Sequence, residues 1–292
     1  MANMMQIIRI MLEHCRARRR SPRIYMGFLV GIAFMMMPIQ RYLLYAAALD
    51  APVNALEPFI MILSEGKNLA FIVLGLLLVL SDAPFMTRRT PYVIMRTSRR
   101  RFAAGSFLYM FFMSAAYLLS LLLFSAIAVS KQAYWGNFWS NPMYQLTQKT
   151  TTTDIMDYYR VYFAYPHITS TLSPFSAAVH VFLLCFLYVI ILASIMFVLN
   201  SIKGRIWGSI AALLVHAIGY VMILESMFYV PRYSLLANAL LVSQSFSSVD
   251  GKALTFGYSY TFLLVVLLVL MYLSFRVFRR TDFRVSSGEE DG

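Results

Sequence analysis

Long runs of apolar residues alternate along this chain with short charged or aromatic stretches. The runs are continuous, without the period of two that marks strands of a membrane barrel. A membrane-crossing helix takes about 20 mostly apolar residues, because in hydrocarbon only a closed backbone ladder satisfies every N–H and C=O. Six segments fit: 24–48, 60–83, 103–129, 178–200, 206–230 and 254–275. The third, fourth and sixth are uninterrupted, and the first carries Arg41 near its outer end. Ser64, Glu65, Gly66 and Lys67 interrupt the second, and its clean stretch Leu69–Leu80 is too short to span alone. The fifth is apolar apart from His216 and Glu225. The pattern predicts an all-α membrane protein with a six-helix transmembrane domain over 24–275.

Composition agrees. The 292 residues are 60% hydrophobic and 13% charged, about half the charge of an average soluble domain. That excludes an ordinary soluble enzyme and a disordered chain. Cys15, near the N-terminus, and Cys185, within the fourth span, do not make a disulfide framework.

The formal charge of +12 acquires its meaning from where it sits. Arg9, Arg16, Arg18, Arg19, Arg20 and Arg23 precede the first span, and six more arginines lie between the second and third. Lys203 and Arg205 follow the fourth span, and Arg276, Arg279, Arg280 and Arg284 follow the sixth. All of these fall on one face, while the opposite face is neutral. The positive-inside rule makes the basic face cytoplasmic, with both termini inside and the plasma (inner) membrane as location. An anionic lipid leaflet is a sufficient partner for it, and nucleic acid is not required.

Residues 1–23 do not read as a cleaved leader, since the basic cluster follows the short apolar stretch. Met4, Ile8, Met11, Leu12 and Cys15 share one helical face, and Gln6, Arg9, Glu13, Arg16 and Arg20 the other. This predicts an amphipathic helix in the inner interface. Residues 130–177 form a long outer loop rich in aromatics, among them Trp135, Trp139, Tyr158 and Tyr162, which suits anchoring at headgroup level or a lid. Residues 231–253 are mostly uncharged and suit a re-entrant segment, and 276–292 form a polar cytoplasmic tail.

Catalytic chemistry is sparse. The chain has no P-loop sequence and no H-E-x-x-H, and His14, His167, His180 and His216 are scattered. Asp154 and Asp157 share an outer-loop turn. No metal, cofactor or catalytic residue is expected on this chain. His216, about ten residues into its span, lies near the midplane, where a neutral histidine bonded to a neighbouring helix and a residue lining a substrate path are both open readings. Glu65 and Lys67 are placed to snorkel outward.

The second basic-face connection, Ser81–Phe102, is the most informative. Asp82-Ala83-Pro84 ends a helix, and Thr90-Pro91 suits a cap followed by proline at the first helical position. A short helix Pro91–Ser98 follows, carrying Tyr92, Val93, Ile94 and Met95 and ending in three arginines. Positive-inside anchoring explains the arginines but not a separately capped apolar helix, which suits a docked protein partner.

A helix ending in S-D-x-P-F, a short helix led by proline and tyrosine and a basic cluster before the third span resemble the permease subunits of ABC-2 type exporters. The resemblance implies a permease that pairs with an identical or sister chain, above two copies of a cytoplasmic ATPase that binds ATP and Mg. It makes Pro91–Ser98 a coupling helix, with Tyr92, Val93, Ile94 and Met95 in an ATPase groove and Arg96, Arg99 and Arg100 at its rim. His216, Tyr220 and Glu225 are the residues expected along the path of an amphiphilic cargo, a peptide, lipid or hydrophobic drug moving outward. A gradient-driven transporter and a membrane sensor, immunity or scaffold protein are the alternatives.

Overall fold

The computed structural model describes residues 2–86, 90–148, 157–203, 205–224, 231–244 and 254–280. Helix α1 (Ala2–Arg18) is followed by α2 (Pro22–Ala48), with Pro22 at a first-turn position where its missing N–H costs nothing. The second apolar segment is two helices, α3 (Glu57–Leu63) and α4 (Gly66–Leu80), bent by 90° at Ser64–Glu65. Then come the short α5 (Thr90–Arg96) and the long α6 (Arg99–Val129). Helices α7 (Asn141–Gln148) and α8 (Pro166–Thr171) lie in the connection ahead of α9 (Pro174–Lys203) and α10 (Arg205–Leu224). After α11 (Leu235–Ala239), α12 (Phe256–Arg280) ends the described chain.

Five of these helices are long and apolar enough to cross a membrane, and six crossings result if α3 and α4 count as one bent span. The chain is therefore a multi-pass, all-α membrane protein. Alone, α4 is about 22 Å long at 1.5 Å per residue, short of a hydrocarbon core of about 30 Å. The interruption at Ser64–Lys67 is thus a bend, and not a polar patch on a straight span.

The hub is α9, apolar on every side and accordingly the most buried of the long helices. It touches α3, α4, α6, α10, α11 and α12. On the other flank α2 and α4 pack closely because both carry glycine where they cross. A Cβ on Gly27 would lie 2.5 Å from the Gly75 carbonyl oxygen, and one on Gly31 would collide with the Tyr117 hydroxyl. That hydroxyl donates to the Ile72 carbonyl (2.8 Å). Gly27 and Gly31 form a G-x-x-x-G pair, the small-residue spacing that lets membrane helices approach.

Helix α1 also packs on the bundle, a contact the amphipathic pattern does not announce. Its buried stripe is Ile10 and His14, seated against Gly105 and Ser106 of α6. Met4, Met5, Ile8 and Leu12 stay exposed. One side is thus consumed by the bundle and a second apolar side is left outward. Arg101 reinforces the seat by donating to Gln6 Oε1 (2.8 Å). The His14 imidazole is driven down to a pKa of about 4, mainly by burial, with the Arg18 charge adding to it.

The segment after α10 is folded into the protein. Leu236 to Leu241 are buried, and side chains satisfy the irregular backbone. Asn238 Nδ2 donates to the Arg232 and Ser234 carbonyls, and Gln244 Nε2 to those of Asn238 and Leu240. Ser259 of α12 closes the set by donating to Asn238 Oδ1 and Gln244 Oε1. The buried irregular backbone is tolerable because these side chains satisfy its polar groups.

Candidate functional site

Three places gather the polar chemistry. The first is the bend between α3 and α4. His216 on α10 is 5% exposed, and its Nδ1 meets the Tyr188 hydroxyl of α9 at 2.9 Å. Its Nε2 has no hydrogen-bond partner among the described groups. Tyr220, one turn further along α10, lies against Gly66, where an added Cβ would come within 3.1 Å of its ring. Beside them Ser64 Oγ is buried without a partner among the described groups, and the Cys185 thiol points at the Leu63 carbonyl at 3.8 Å. The structure thus brings His216 and Tyr220 together at a broken helix. Glu225, grouped with them on sequence grounds, lies outside the described residues. The neighbouring-helix reading of His216 holds for one nitrogen, and the second nitrogen is left over.

The outer side of the same bend is charged. Glu65 and Lys67 line a cavity of about 390 Å³ with Arg41, Asp157 and Arg160. Asn68 donates to Glu65 Oε2 (2.8 Å). Sequence alone treats these as separate charges near a boundary. Tertiary packing collects both signs around one opening.

The second place is the cap formed by the described residues of 130–177, at the end of the bundle away from the arginine-rich face. The residue that fastens it, Glu57, escapes the sequence pattern: it lies outside the expected second span and registers there only as a charge. Its side chain is fully buried. Oε1 accepts from the Ser140 backbone N–H (2.7 Å). Oε2 accepts from the Tyr42 hydroxyl (2.8 Å), the Asn54 N–H (2.8 Å) and the Ser140 hydroxyl (2.7 Å). Asn54 extends the clasp, donating through Nδ2 to the Gly136 and Phe138 carbonyls. Two-residue strands β1 (Val53–Asn54) and β2 (Ala133–Tyr134) pair in parallel beside it. Burial, then the nearby Glu57 carboxylate, push the Tyr134 hydroxyl up to about 12. The signal available in sequence was Glu57-Pro58, an acid and a proline at a helix start. The cap's aromatics divide accordingly. Phe163 is buried, whereas Trp135, Tyr158 and Tyr162 are exposed.

The third place is the connection of α4 to α6. Asp82 accepts from Arg18 (2.6 Å) and Arg23 (2.7 Å), tying α1 and the start of α2 to the end of α4. Phe85 is fully buried at a positive φ of 63°. It packs against the rings of His14 and Tyr109, under the Arg18 guanidinium. Locally, then, the S-D-x-P-F sequence fastens the N-terminal helix. On α5, Tyr92 is 70% and Met95 83% exposed, while Val93 and Ile94 turn partly into the bundle. Ile94 is thus not on the outward pair. Arg96 is exposed, and Arg99 donates to the Arg279 carbonyl of α12. Arg100 faces a cavity between helices. Ser98 caps α6, its hydroxyl accepting from the Arg101 N–H (3.3 Å). Among the described residues no group of histidine, cysteine or carboxylate side chains has the arrangement of a metal site.

No family model, no curated protein and no solved structure matches this chain.

Proposed function

We propose that the chain is the membrane-spanning permease subunit of an ABC-2 type exporter. It moves an amphiphilic cargo outward across the plasma membrane and draws on ATP and Mg bound by a separate ATPase. The observation that carries the reading is α5. This short helix sits between two bundle helices on the basic face, with Tyr92 and Met95 outward at i and i+3 and Arg96 beside them. An aromatic and a methionine on a helix of this length have too little area to hold a membrane, yet they suit a groove on a soluble partner.

In this reading the basic face is cytoplasmic, both termini are inside, and two ATPase copies sit beneath a pair of permeases, identical or sister. Closure of the ATPases pushes α5. The push passes through Ser98 into α6 and through Asp82 and Phe85 into α1 and α4. The bend at Ser64–Gly66 is the element with two arrangements, and His216 and Tyr220 line the path beside it. Catalysis belongs to the partner.

The test is a detergent pull-down of tagged full-length chain at native expression, with ATP hydrolysis assayed on the eluate. An ATPase subunit should co-purify with the native chain and be lost from the Tyr92→Asp/Met95→Asp variant, while the variant's melting temperature is unchanged. Recovery of the chain without any ATPase, under conditions that preserve known complexes, overturns the reading. The leftover nitrogen of His216 at a broken helix favours one second reading, a gradient-driven carrier. That reading predicts uptake or efflux in ATPase-free vesicles that His216→Phe abolishes.

A further inference from the structure

The basic face holds a cavity that shares only Arg100 with the transport reading. It has a volume of about 870 Å³ and lies between α1, α6 and α12, and five arginines line it: Arg100, Arg101, Arg276, Arg279 and Arg280. No carboxylate is among its described lining residues, and none of the five pairs with a described acid. Both ion pairs among the described residues belong to Asp82. Arg101 is already oriented, since it donates to Gln6 Oε1 and to the Thr97 carbonyl. Positive-inside charge alone calls for arginines near a membrane, not for their convergence on one concavity.

The rest of the lining is apolar. Ile7, Ala104, Tyr272 and Phe275 complete the wall. Tyr272 and Arg276 continue an i, i+4 row on α12 that starts at Leu264 and Leu268 and ends at Arg280, and the three residues before the arginines are 45%, 64% and 64% exposed. A lipid-facing apolar stripe therefore runs directly into a guanidinium cluster. That sequence of surfaces matches acyl chain followed by phosphate.

We infer that this cavity holds the headgroup phosphate of an anionic phospholipid from the basic-face leaflet, with its acyl chains along the Leu264–Leu268–Tyr272 row. A water-soluble phosphate shares the headgroup chemistry but has no use for the row. The lipid also bridges α1 and α12 across α6, replacing like-charge repulsion among five arginines with charge-assisted hydrogen bonds.

The experiment uses the full chain in nanodiscs of phosphatidylcholine containing a minor fraction of phosphatidylglycerol, with retained lipid counted by native mass spectrometry after release into neutral detergent. A single phosphatidylglycerol should stay with each native chain. Arg276→Gln with Arg280→Gln should weaken retention by roughly 25-fold, at about fivefold per arginine. The matched pair Arg16→Gln with Arg19→Gln, exposed on the same face outside the cavity, should leave it unchanged. Equal melting temperatures of both variants in lipid-free detergent establish that the loss is not unfolding. Equal loss in both variants overturns the inference in favour of diffuse attraction. Displacement of the lipid by millimolar glycerol 3-phosphate overturns it in favour of a soluble phosphate. Retention that emerges only after removal of residues 281–292 also overturns it, because their Asp282, Glu289, Glu290 and Asp291 would then be the native occupants.

Discussion

Two carboxylates flank the bent second segment, and they are held by different means. Asp82, at the basic end, is 17% exposed and takes its partners from charge, with Arg18 and Arg23 on its two oxygens. Glu57, at the opposite end, is fully buried and surrounded by neutral donors: a tyrosine, a serine and two backbone amides. Near water, an ion pair is inexpensive to assemble and contributes little. Away from water, a second charge adds its own desolvation cost, whereas neutral dipoles satisfy the carboxylate's lone pairs without that cost. The basic end is therefore an adjustable joint, and the outer end is a fixed clasp.

The sharpest way to break the contrast is Glu57→Ala. It removes the acceptor of the Asn54 and Ser140 amides and leaves the Tyr42 and Ser140 hydroxyls only each other (3.3 Å), at a cost of roughly 3–5 kcal/mol. Heat unfolding in detergent should show the loss, and limited chymotrypsin should nick the released cap at 141–171. Glu57→Gln, which puts a donor NH2 among donors, should fall between the native chain and alanine. An unchanged melt for Glu57→Ala would mean that the clasp holds nothing.

Phe85→Ala probes the joint where it is apolar. Removing a fully buried ring costs about 3–4 kcal/mol. The same unfolding assay measures it, and α1 should become protease-sensitive before the rest of the chain.

Acid should loosen the joint next. The His14 pKa of about 4 lies below its ordinary 6.5, so the unfolded chain binds a proton that the folded chain refuses. Stability is full above pH 6.5 and falls as pH drops toward 4, by about 1.4 kcal/mol per unit. His14→Phe should flatten that slope in unfolding measured from pH 7 to 5. A slope identical to the native chain's would rule His14 out as its source.

Asp82→Asn should cost only about 1 kcal/mol, and the loss should shrink in 1 M salt. The Glu57→Ala loss should be indifferent to salt, and this difference in salt response is the direct measure of the contrast. Smallest of all is Tyr92→Asp/Met95→Asp, expected within about 0.5 kcal/mol of the native chain because both side chains are outside the bundle.

Much of this molecule was legible before folding. The five long apolar helices overlap segments expected from hydropathy, with 225–230 of the fifth outside the described residues, and the Ser64–Lys67 interruption coincides with the bend. The α5 segment was readable from Thr90-Pro91 and from the proline that ends the preceding helix. The buried stripe of α1 was not legible, because hydropathy could not rank Ile10 and His14 above Met4 and Ile8 without knowing that Gly105 opens a seat for them on α6. Glu57 was invisible for a related reason. Its four donors come from positions 42, 54 and 140, and no local pattern announces that they meet.

Crossing a membrane is a demand on one helix at a time, and about 20 consecutive residues carry all the information needed to meet it. The sequence by itself therefore determined the helical class, the approximate apolar segments and the concentration of arginines on one face. Which polar groups become partners depends on side chains from distant segments reaching hydrogen-bond distance, a contact of about 3 Å that hydropathy does not resolve. The tertiary structure alone decided that Glu57 clasps the cap, that Asp82 and Phe85 hold α1, that His216 bonds to Tyr188, and that five arginines from two helices close on a single cavity.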